Sequence, residues 1–281
     1  MLVFMTDGAY REWPAHAALR EAVRCVWAYA PEIGDSAPQR IPPDGCPEFV
    51  THFGAPYERI DAGEAKPHPR LLFAGQITRP LMVRATGPFA VLGVRFEPDG
   101  AKGFAGRPMR DLTDAQLDLA NAPGACRLYR DVCALDDWDA RVEAVQHWVA
   151  AVLATNGCAI DPDVRAIVRR LESGAPAPSC AVSTRQMQRR FAAHVGVPAQ
   201  TLASIFRFRR VFDAIAGDDA PGWIGAALSA GDFDQPQMAR EFRRFLGCTA
   251  REWAGARIGL GPALAGARVS PSYKTAEERA G

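Results

Sequence analysis

The stretch STRQMQRRFAAHVG, residues Ser183 to Gly196, returns 51 positions later as DQPQMAREFRRFLG, residues Asp234 to Gly247. In both copies an N-cap residue, Ser183 or Asp234, is followed three positions later by Gln, the pattern of a capping box. Met and Phe stand four positions apart in each copy and share one helix face. The glycine that ends each copy stands where a left-handed C-cap is usual. This self-match predicts two copies of one helical unit.

Each copy also carries Arg and Gln on the face opposite its apolar stripe. Arg189 lies two positions past Met187, and Arg240 bears the same relation to Met238. On an isolated helix such a face is usually solvated surface, but here it recurs, with its caps, in a repeat. Because Arg and Gln pair bidentately with guanine and adenine edges, the repeat favours DNA recognition through the major groove. The outward residues are Thr184, Arg185, Gln188 and Arg189 in the first copy and Gln235, Gln237 and Arg240 in the second.

The surroundings of the two copies complete the pattern. The apolar stripe of residues 201–216 predicts a helix that joins the units. Trp223 to Ala230 predicts the first helix of the second unit, and Gly231 begins its turn. Recognition helices held in this way can enter successive major grooves about 34 Å apart. Three neighbouring arginines are interpreted as phosphate-contacting or surface residues: Arg190, Arg243 and Arg244. Of these, Arg244 is counted among the predicted DNA contacts.

These motifs resemble the AraC/XylS family of bacterial regulators, whose C-terminal domain has two helix-turn-helix units joined by a long helix. The resemblance covers residues 182–253 and rests on VSTRQMQRRFAAHVGVPAQTL and GDFDQPQMAREFRRFLGCTAREW. It implies that three outward residues of each copy read bases, the first three in one major groove and the others in the next: Arg185, Gln188 and Arg189, then Gln235, Gln237 and Arg240. In the front half, RIPPDGCPEFVTHFG, FAGQITRP and LGVRFEPDGAKGF resemble the sensor domains of some family members.

The two units differ in the helix that precedes the recognition helix. Shifted back by 51 positions, the first helix of the second unit falls on residues 172–179, where Pro176 and Pro178 exclude a normal helix. Asp232 also follows the turn glycine directly, where the family usually has an aromatic residue. We therefore expect the first unit to lack or reroute its supporting helix, and the second unit to bind DNA more tightly.

The rest of the chain divides into a strand-rich front and a helical middle. Short apolar runs separated by Gly and Pro, such as Val91–Phe96, predict a mainly β, barrel-like α+β domain over residues 1–112. One early helix is expected at Ala17–Ala30, from its helical spacing of apolar residues. A capping-box pattern and two apolar stripes predict further helices beginning at Thr113–Gln116 and spanning Asp139–Thr155 and Asp161–Glu172.

We therefore expect five segments: a mainly β effector-binding domain (1–112), a helical segment for connection or dimerisation (113–172), a Pro-containing linker (173–182), the all-α double helix-turn-helix domain (183–260) and a disordered tail (261–281). Residues 1–182 hold 19 basic and 23 acidic side chains, whereas residues 183–260 hold 11 Arg and 7 acidic side chains. A mildly acidic front and a basic back suit a sensor joined to a binder of polyanions.

The composition excludes several classes of protein. Hydrophobic residues make up 48% of the chain and charged residues 23%, which is ordinary for a soluble globular protein. No apolar run reaches the roughly 20 residues that span a bilayer, and the N-terminus lacks a secretory pattern. The seven cysteines are scattered, which indicates reduced thiols rather than a disulfide framework. We expect a cytoplasmic protein without membrane contact.

Candidate chemistry in the front half is sparse. His16 and His52 are too isolated in the sequence to predict a metal site, and Cys46 is interpreted as a small buried hydrophobe. Asp44 and Glu48 could form an acid pair, although Asp-Gly is first a turn signal. P-loop, G-x-S-x-G, H-E-x-x-H and cupin metal motifs are missing from the sequence. We therefore expect neither enzyme activity nor a cofactor or metal.

The leading hypothesis is a bacterial transcription regulator that binds double-stranded DNA and is controlled by a small molecule in its front domain. An effector that favours one arrangement of that domain would change how the DNA-binding units are presented. Further partners in this hypothesis are a second copy of the chain and, for an activator, RNA polymerase. Two alternatives stay open: an enzyme with an autoregulatory helical domain, and a small-molecule binding protein with a degenerate DNA domain.

Overall fold

The computed structural model describes residues 10–30, 38–157, 160–175, 182–216, 235–249 and 252, apart from the side chains of residues 211–216, 235 and 238. Ten strands form within these residues. They are β1 (Tyr10–Pro14), β2 (Val23–Tyr29), β3 (Gln39–Ile41), β4 (Glu48–Gly54), β5 (Tyr57–Asp61), β6 (Glu64–Pro67), β7 (Leu71–Ala74), β8 (Leu81–Ala85), β9 (Phe89–Phe96) and β10 (Gln116–Asp118).

The strands form two antiparallel sheets. One has six strands in the order β1-β2-β9-β4-β7-β10, and the other has four in the order β3-β8-β5-β6. The predicted fold class, a mainly β front half followed by helices, is confirmed. The barrel-like closure is wrong in detail, because within the described residues β1 pairs only with β2, and β10 only with β7. The six-stranded sheet is therefore open at both edges.

Strand β9 lies inside the six-stranded sheet, and all eight of its residues are buried. Alternate residues of a strand point to opposite faces of the sheet. Leu92 and Val94 pack into the core beneath the helices, whereas Val91 packs into the cluster between the two sheets. The unbroken apolar run of this strand is thus the pattern of a strand covered on both faces.

Seven α-helices follow or cover the sheets in the described residues: α1 (Lys102–Ala105), α2 (Ala125–Ala134), α3 (Trp138–Asn156), α4 (Pro162–Glu172), α5 (Thr184–Val195), α6 (Ala199–Ala216) and α7 (Gln235–Leu246). Five predicted helices are confirmed. They are α5 and α7 of the two repeat copies, α6 of the joining segment, and α3 and α4, which the two apolar stripes predicted. Ser183 Oγ accepts a hydrogen bond from the Gln186 amide at 3.3 Å, as the N-cap pattern predicts. Gly196 and Gly247 have φ of +98° and +71°, a region that favours glycine.

Two predicted helices are wrong. Ala17–Ala30 is a single 3-10 turn, Ala17–Leu19, followed by β2, because a strand buried on both faces also carries apolar residues at helical spacing. The capping-box pattern at Thr113–Gln116 leads into β10 instead. Asp114 has φ of +55°, and its carboxylate accepts hydrogen bonds from Thr78 N and Oγ1, both at 2.7 Å. A long-range contact therefore replaces the local cap.

The first core lies between the six-stranded sheet and helices α1, α2 and α3. Its aromatic centre includes Phe49, Phe73, Phe96 and Phe104, with Phe104 only 5.1 Å from Phe96 between ring centroids. Apolar residues of α2 and α3 complete this core. The strand-rich part and the helices after residue 112 consequently share one hydrophobic core.

A second core joins α4, α5 and α6, and it includes Val164, Met187, Phe191 and Phe206. Helix α4 therefore packs against α5, the helix of the first repeat copy, and supplies support at a position in the chain that the repeat did not predict. Several predicted features lie outside the described residues: Pro176, Pro178, Trp223–Ala230, Gly231, Asp232, Asp234 and residues 261–281. In the part of the chain that is described, no helix is both long and apolar enough to cross a bilayer.

Candidate nucleic-acid interface and inter-sheet pocket

Helix α5 separates its buried and exposed faces as its sequence predicts. Met187 and Phe191 are buried against α4 and α6. The four outward residues predicted for this copy are all exposed: Thr184, Arg185, Gln188 and Arg189. Arg190 differs from its predicted phosphate or surface role, because it forms ion pairs with Asp161 at 2.5 Å and Asp163 at 3.0 Å. It fastens α5 to the N-terminus of α4.

Helix α7 presents a similar face. Arg240, Arg243 and Arg244 are exposed, and Gln237 is half-buried. The Arg244 guanidinium lies 5.0 Å from the centroid of the neighbouring Phe245 ring, a cation–π contact that leaves an edge of the guanidinium for another partner. The side chain of Gln235, the remaining predicted contact, lies outside the described residues.

Helix α6 packs against both of these helices. On the α5 side, Leu202 and Phe206 enter the second core. On the α7 side, Phe208 lies 5.4 Å from Phe242 and 5.3 Å from Phe245 between ring centroids. Arg207 also pairs with the buried Glu241 at 2.6 Å. Helices α5 and α7 are thus both oriented by packing against one shared helix.

A pocket of about 90 Å³ lies between the two sheets. Alternating residues of β4, namely Glu48, Val50 and His52, point into it, while the intervening Phe49 enters the first core. The opposite wall comes from the four-stranded sheet. The other main lining residues are Trp27, Ile41, Asp44, Cys46, Tyr57, His68, Leu72, Leu81, Val83, Val91, Gln116 and Arg209.

The floor of this pocket depends on a glycine inside a strand. Gly93 pairs with Trp27 across β2 and β9, and a Cβ atom at Gly93 would overlap the indole ring of Trp27. The missing side chain therefore lets the indole lie flat on the sheet. A glycine within a strand often marks such a close approach, and it was the one signal in the sequence that could have indicated a pocket here.

One end of the pocket is acidic. Arg95 on β9 is buried and faces three carboxylates: Glu48 at 3.0 Å, Asp44 at 3.4 Å and Glu12 at 3.6 Å. Trp27 Nε1 donates to Glu48 Oε1 at 3.1 Å. Burial raises the pKa of Glu48 to about 7, against the opposing effect of Arg95. Asp44 and Glu48 therefore lie together as an acid pair, one of the two readings of this segment in the sequence. The other reading, a turn, also holds, because the Asp44 carboxylate accepts a hydrogen bond from the Cys46 amide.

The other end of the pocket is polar but uncharged. Both ring nitrogens of His52, Nδ1 of His68 and the hydroxyl of Tyr57 are buried without a hydrogen-bond partner among the described residues. His68 Nε2 lies 2.9 Å from Gln116 Oε1. Burial lowers the pKa of His52 to about 3 and that of His68 to about 4, and it raises the pKa of Tyr57. These side chains are therefore neutral near pH 7.

Helix α6 contributes to the wall of the pocket and packs on the turn that borders it. The turn at Gly45 has φ of +86°, and an added Cβ there would lie 2.7 Å from Phe206 Cε1. Gln76 Nε2 donates to the Gly45 carbonyl oxygen at 2.6 Å and holds this turn in place. Arg209, one turn of α6 beyond Phe206, lines the pocket directly. Helix α6 therefore contacts the pocket, α5 and α7.

Cys46 also lies at the pocket, and it is a free, buried cysteine as the sequence predicts. Burial raises the pKa of its thiol well above the usual range, so the thiolate that reactive cysteines need is disfavoured. The other cysteines within the described residues are likewise free: Cys25, Cys126, Cys133 and Cys248.

Further contacts tie the strand-rich part to α4 and to the end of α5. Thr113 Oγ1 donates to the Gly196 carbonyl oxygen at 2.7 Å, just after α5 ends. The Arg165 guanidinium on α4 donates to both carboxylate oxygens of the buried Asp99, at 2.9 and 2.8 Å. Arg24 on β2 pairs with Glu172 at the end of α4, at 2.8 Å. Helices α4 and α5 are thus docked on the strand-rich part through polar contacts.

One histidine is less isolated than its sequence position indicates. His16, Glu143 and His147 place one possible ligand atom each within 4.8 Å of one another. The Glu143 carboxylate already contacts both histidines: its Oε1 lies 2.9 Å from His16 Nε2, and its Oε2 lies 3.9 Å from His147 Nδ1. His16 and Glu143 are 127 residues apart in the chain, which is why the sequence did not bring them together.

Comparison with known proteins gives distant similarities. A family described as a domain of unknown function, DUF6597, matches residues 11–118, a range that ends with β10. No curated protein matches the sequence. Among solved structures, the apo form of a ToxT point variant from Vibrio cholerae strain SCE256 is similar at 10% identity and a TM-score of 0.43, over 81% of this chain and 95% of that chain.

Two other structures are similar to the same degree. ToxT from Vibrio cholerae O395 bound to (E)-4-(8-methylnaphthalen-1-yl)but-3-enoic acid has 8% identity and a TM-score of 0.42, over 88% of this chain and 98% of that chain. Unsaturated fatty acid bound wild-type ToxT from strain SCE256 has 8% identity and a TM-score of 0.42, over 81% of this chain and 94% of that chain.

Proposed function

We propose that the chain is a sequence-specific, DNA-binding transcriptional regulator of the AraC/XylS kind, controlled by a small molecule in the inter-sheet pocket. The observation that carries this proposal is the position of α6. It packs against two similar helices with exposed Arg-rich faces, and it contributes Arg209 to the wall of the pocket.

The DNA-binding part of the proposal rests on the exposed faces of α5 and α7. Base edges in the first major groove are read by Arg185, Gln188 and Arg189, with Thr184 beside them, and in the second by Gln235, Gln237 and Arg240. Arg244 contacts phosphate, since it lies near the end of α7. Arg190 takes no part, because it is engaged by Asp161 and Asp163.

The regulatory part rests on the contact between the pocket and α6. A ligand between the sheets contacts the same turn and the same helix that position the DNA-reading faces. A ligand that binds one arrangement of the sheets better than another shifts the population of DNA-binding arrangements by that difference in affinity. In this proposal the sensor extends through α3, because α2 and α3 complete its core, and α4 acts with the DNA-binding part.

The test is fluorescence anisotropy of the full chain with duplex DNA from its own promoter region. The Arg240→Ala variant should bind the specific site roughly tenfold more weakly, since a bidentate base contact contributes about 1–3 kcal/mol. Arg127→Ala is the matched control, because this exposed arginine lies on α2, outside the two proposed DNA-reading helices, and has a 3.7 Å contact with Asp131. Unchanged affinity and unchanged sequence preference in Arg240→Ala would overturn the base-reading role.

A further inference from the structure

The charges around the acidic end of the pocket do not balance. Among the described residues, the charged side chains that line the pocket are Asp44, Glu48 and Arg209. Behind them, Arg95 is shared among Asp44, Glu48 and Glu12. With Glu48 ionised, this set holds three carboxylates and two guanidinium groups, so one negative charge remains. A buried net charge is costly unless a partner of opposite sign is present.

An aromatic surface lies next to these carboxylates. The indole of Trp27 lies flat over Gly93, and its Nε1 donates to Glu48 at 3.1 Å. Because Trp27 and Glu48 both line the pocket, a cation bound to Glu48 from inside the pocket lies beside the indole. The electron-rich face of an indole attracts cations, and the attraction is largest where the site is shielded from water.

The far end of the pocket cannot supply or balance charge. His52 is 6% exposed, and neither of its nitrogens has a partner in the described part of the chain. If His68 Nε2 donates to Gln116, its unpartnered Nδ1 is left as a hydrogen-bond acceptor. With Tyr57 nearby, this end suits a neutral O–H or N–H group on a ligand. Any charge on a ligand must then be balanced at the acidic end.

The volume of the pocket limits the size of its ligand. Each water molecule in a cavity needs about 10–15 Å³ of free volume. The pocket of about 90 Å³ therefore holds roughly half a dozen water molecules. A ligand that fills it without opening the sheets has on the order of ten non-hydrogen atoms. Val50, Leu72 and Val91 line its middle, which suits a flat or branched apolar body.

Building on the proposed function, we propose that the effector is a small organic amine: its ammonium group lies between Glu48, Asp44 and the Trp27 indole, and its apolar body fills the space between the sheets. An anionic molecule of the same size would add a second uncompensated charge at the acidic end. The amine removes the imbalance and orders the turn at Gly45, through which it acts on α6.

Three probes of matched shape test the charge preference: benzylamine, benzyl alcohol and benzoate. They are titrated into the full chain by calorimetry at pH 8, where Glu48 is ionised because its pKa is about 7. Benzylamine should bind at least tenfold more tightly than benzyl alcohol, and benzoate least tightly. 4-Hydroxybenzylamine should bind more tightly still, because its hydroxyl reaches the histidine end. Equal binding of all three, or tightest binding of benzoate, would overturn the proposal.

Variants locate the ammonium site. Glu48→Gln and Asp44→Asn should each weaken benzylamine binding about tenfold and leave benzyl alcohol binding within about twofold, with thermal unfolding recorded to confirm that each variant is folded. Glu58→Gln is the control, since Glu58 pairs with Arg84 in the four-stranded sheet and does not line the pocket. If both variants are folded and bind benzylamine as tightly as the parent chain, the ammonium group does not bind at Glu48 and Asp44, and the proposal is overturned.

The amine-binding result can be distinguished from a test of the proposed DNA-binding function. DNA binding without any probe is measured by anisotropy in parallel. A chain that binds its promoter DNA but prefers benzoate refutes the amine and leaves the regulator standing. A chain that binds benzylamine through Glu48 but shows no specific DNA binding refutes the regulator and leaves the amine site standing.

Discussion

At the scale of single residues, Gly93 shows how one missing side chain shapes the pocket. Every other position of β9 carries a side chain, and a methyl group at Gly93 would overlap the Trp27 ring. Gly93→Ala should lower the free energy of unfolding by about 1–3 kcal/mol, the usual effect of overpacking. It should also push the indole into the pocket and abolish binding of a small ligand. Urea denaturation measures the first effect and calorimetry the second.

Gly87→Ala is the control for this substitution, because an added Cβ there would meet only the Ala55 Cβ, at 3.1 Å. It should retain the parent stability within about 0.5 kcal/mol. A Gly93→Ala variant as stable as Gly87→Ala would show that the indole does not need the open strand.

The buried histidines make stability depend on pH. His52 and His68 have ordinary pKa values of 6.5 and folded values of about 3 and about 4. Between pH 6.5 and 4 the unfolded chain binds more protons than the folded chain, so the free energy of unfolding falls on acidification. Each histidine should account for about 1–2 kcal/mol between pH 6.5 and 5. His52→Gln should remove its share of the slope in urea denaturation at several pH values.

His147→Gln is the matched control, because the His147 side chain is 74% exposed on α3. It should keep the parent dependence of stability on pH. A parent chain whose stability is flat between pH 6.5 and 5 would mean that the two buried rings are not kept neutral in the folded protein.

At the scale of elements, sequence prediction succeeded where a segment's structure is decided locally. The caps and the Met–Phe spacing define α5 without reference to the rest of the chain, and α5 ends at the predicted Gly196. Strand β2 was predicted as a helix, because its apolar residues face two separate partners that the sequence cannot reveal. The pocket was missed for the same reason, since strands from distant positions in the chain must come together to line it.

The two recognition helices should contribute unequally to DNA binding. Arg189→Ala on α5 and Arg240→Ala on α7 remove equivalent exposed arginines. We expect the larger loss of affinity from Arg240→Ala, since only the second unit keeps the sequence pattern of both helices of a helix-turn-helix. Anisotropy with the same promoter DNA compares the two variants directly. A larger loss from Arg189→Ala would instead mean that the support given by α4 makes the first unit the dominant one.

At the scale of the whole molecule, charge is distributed along the chain so that basic side chains concentrate at the helical end proposed to bind DNA. Binding should weaken steeply with salt, because each arginine–phosphate contact releases a counterion. Arg244→Ala should reduce the slope of log affinity against log salt by about 1 while leaving sequence preference unchanged. Arg127→Ala on the sensor should leave the slope unaltered. An unaltered slope in Arg244→Ala would remove this residue from the phosphate contacts.

The position of α6 has a consequence for changing what this protein senses. Phe206 and Arg209 contact the pocket turn and the pocket wall, while Leu202 and Phe208 pack against α5 and α7. In the proposed regulator, a substitution anywhere in this stretch would therefore alter ligand binding and DNA binding together. Selection for response to a new molecule will therefore accumulate its changes on the sheets, at positions such as Val50 and Leu72, and will leave the helix untouched. Libraries that vary the strands alone should yield new specificities with the operator unchanged.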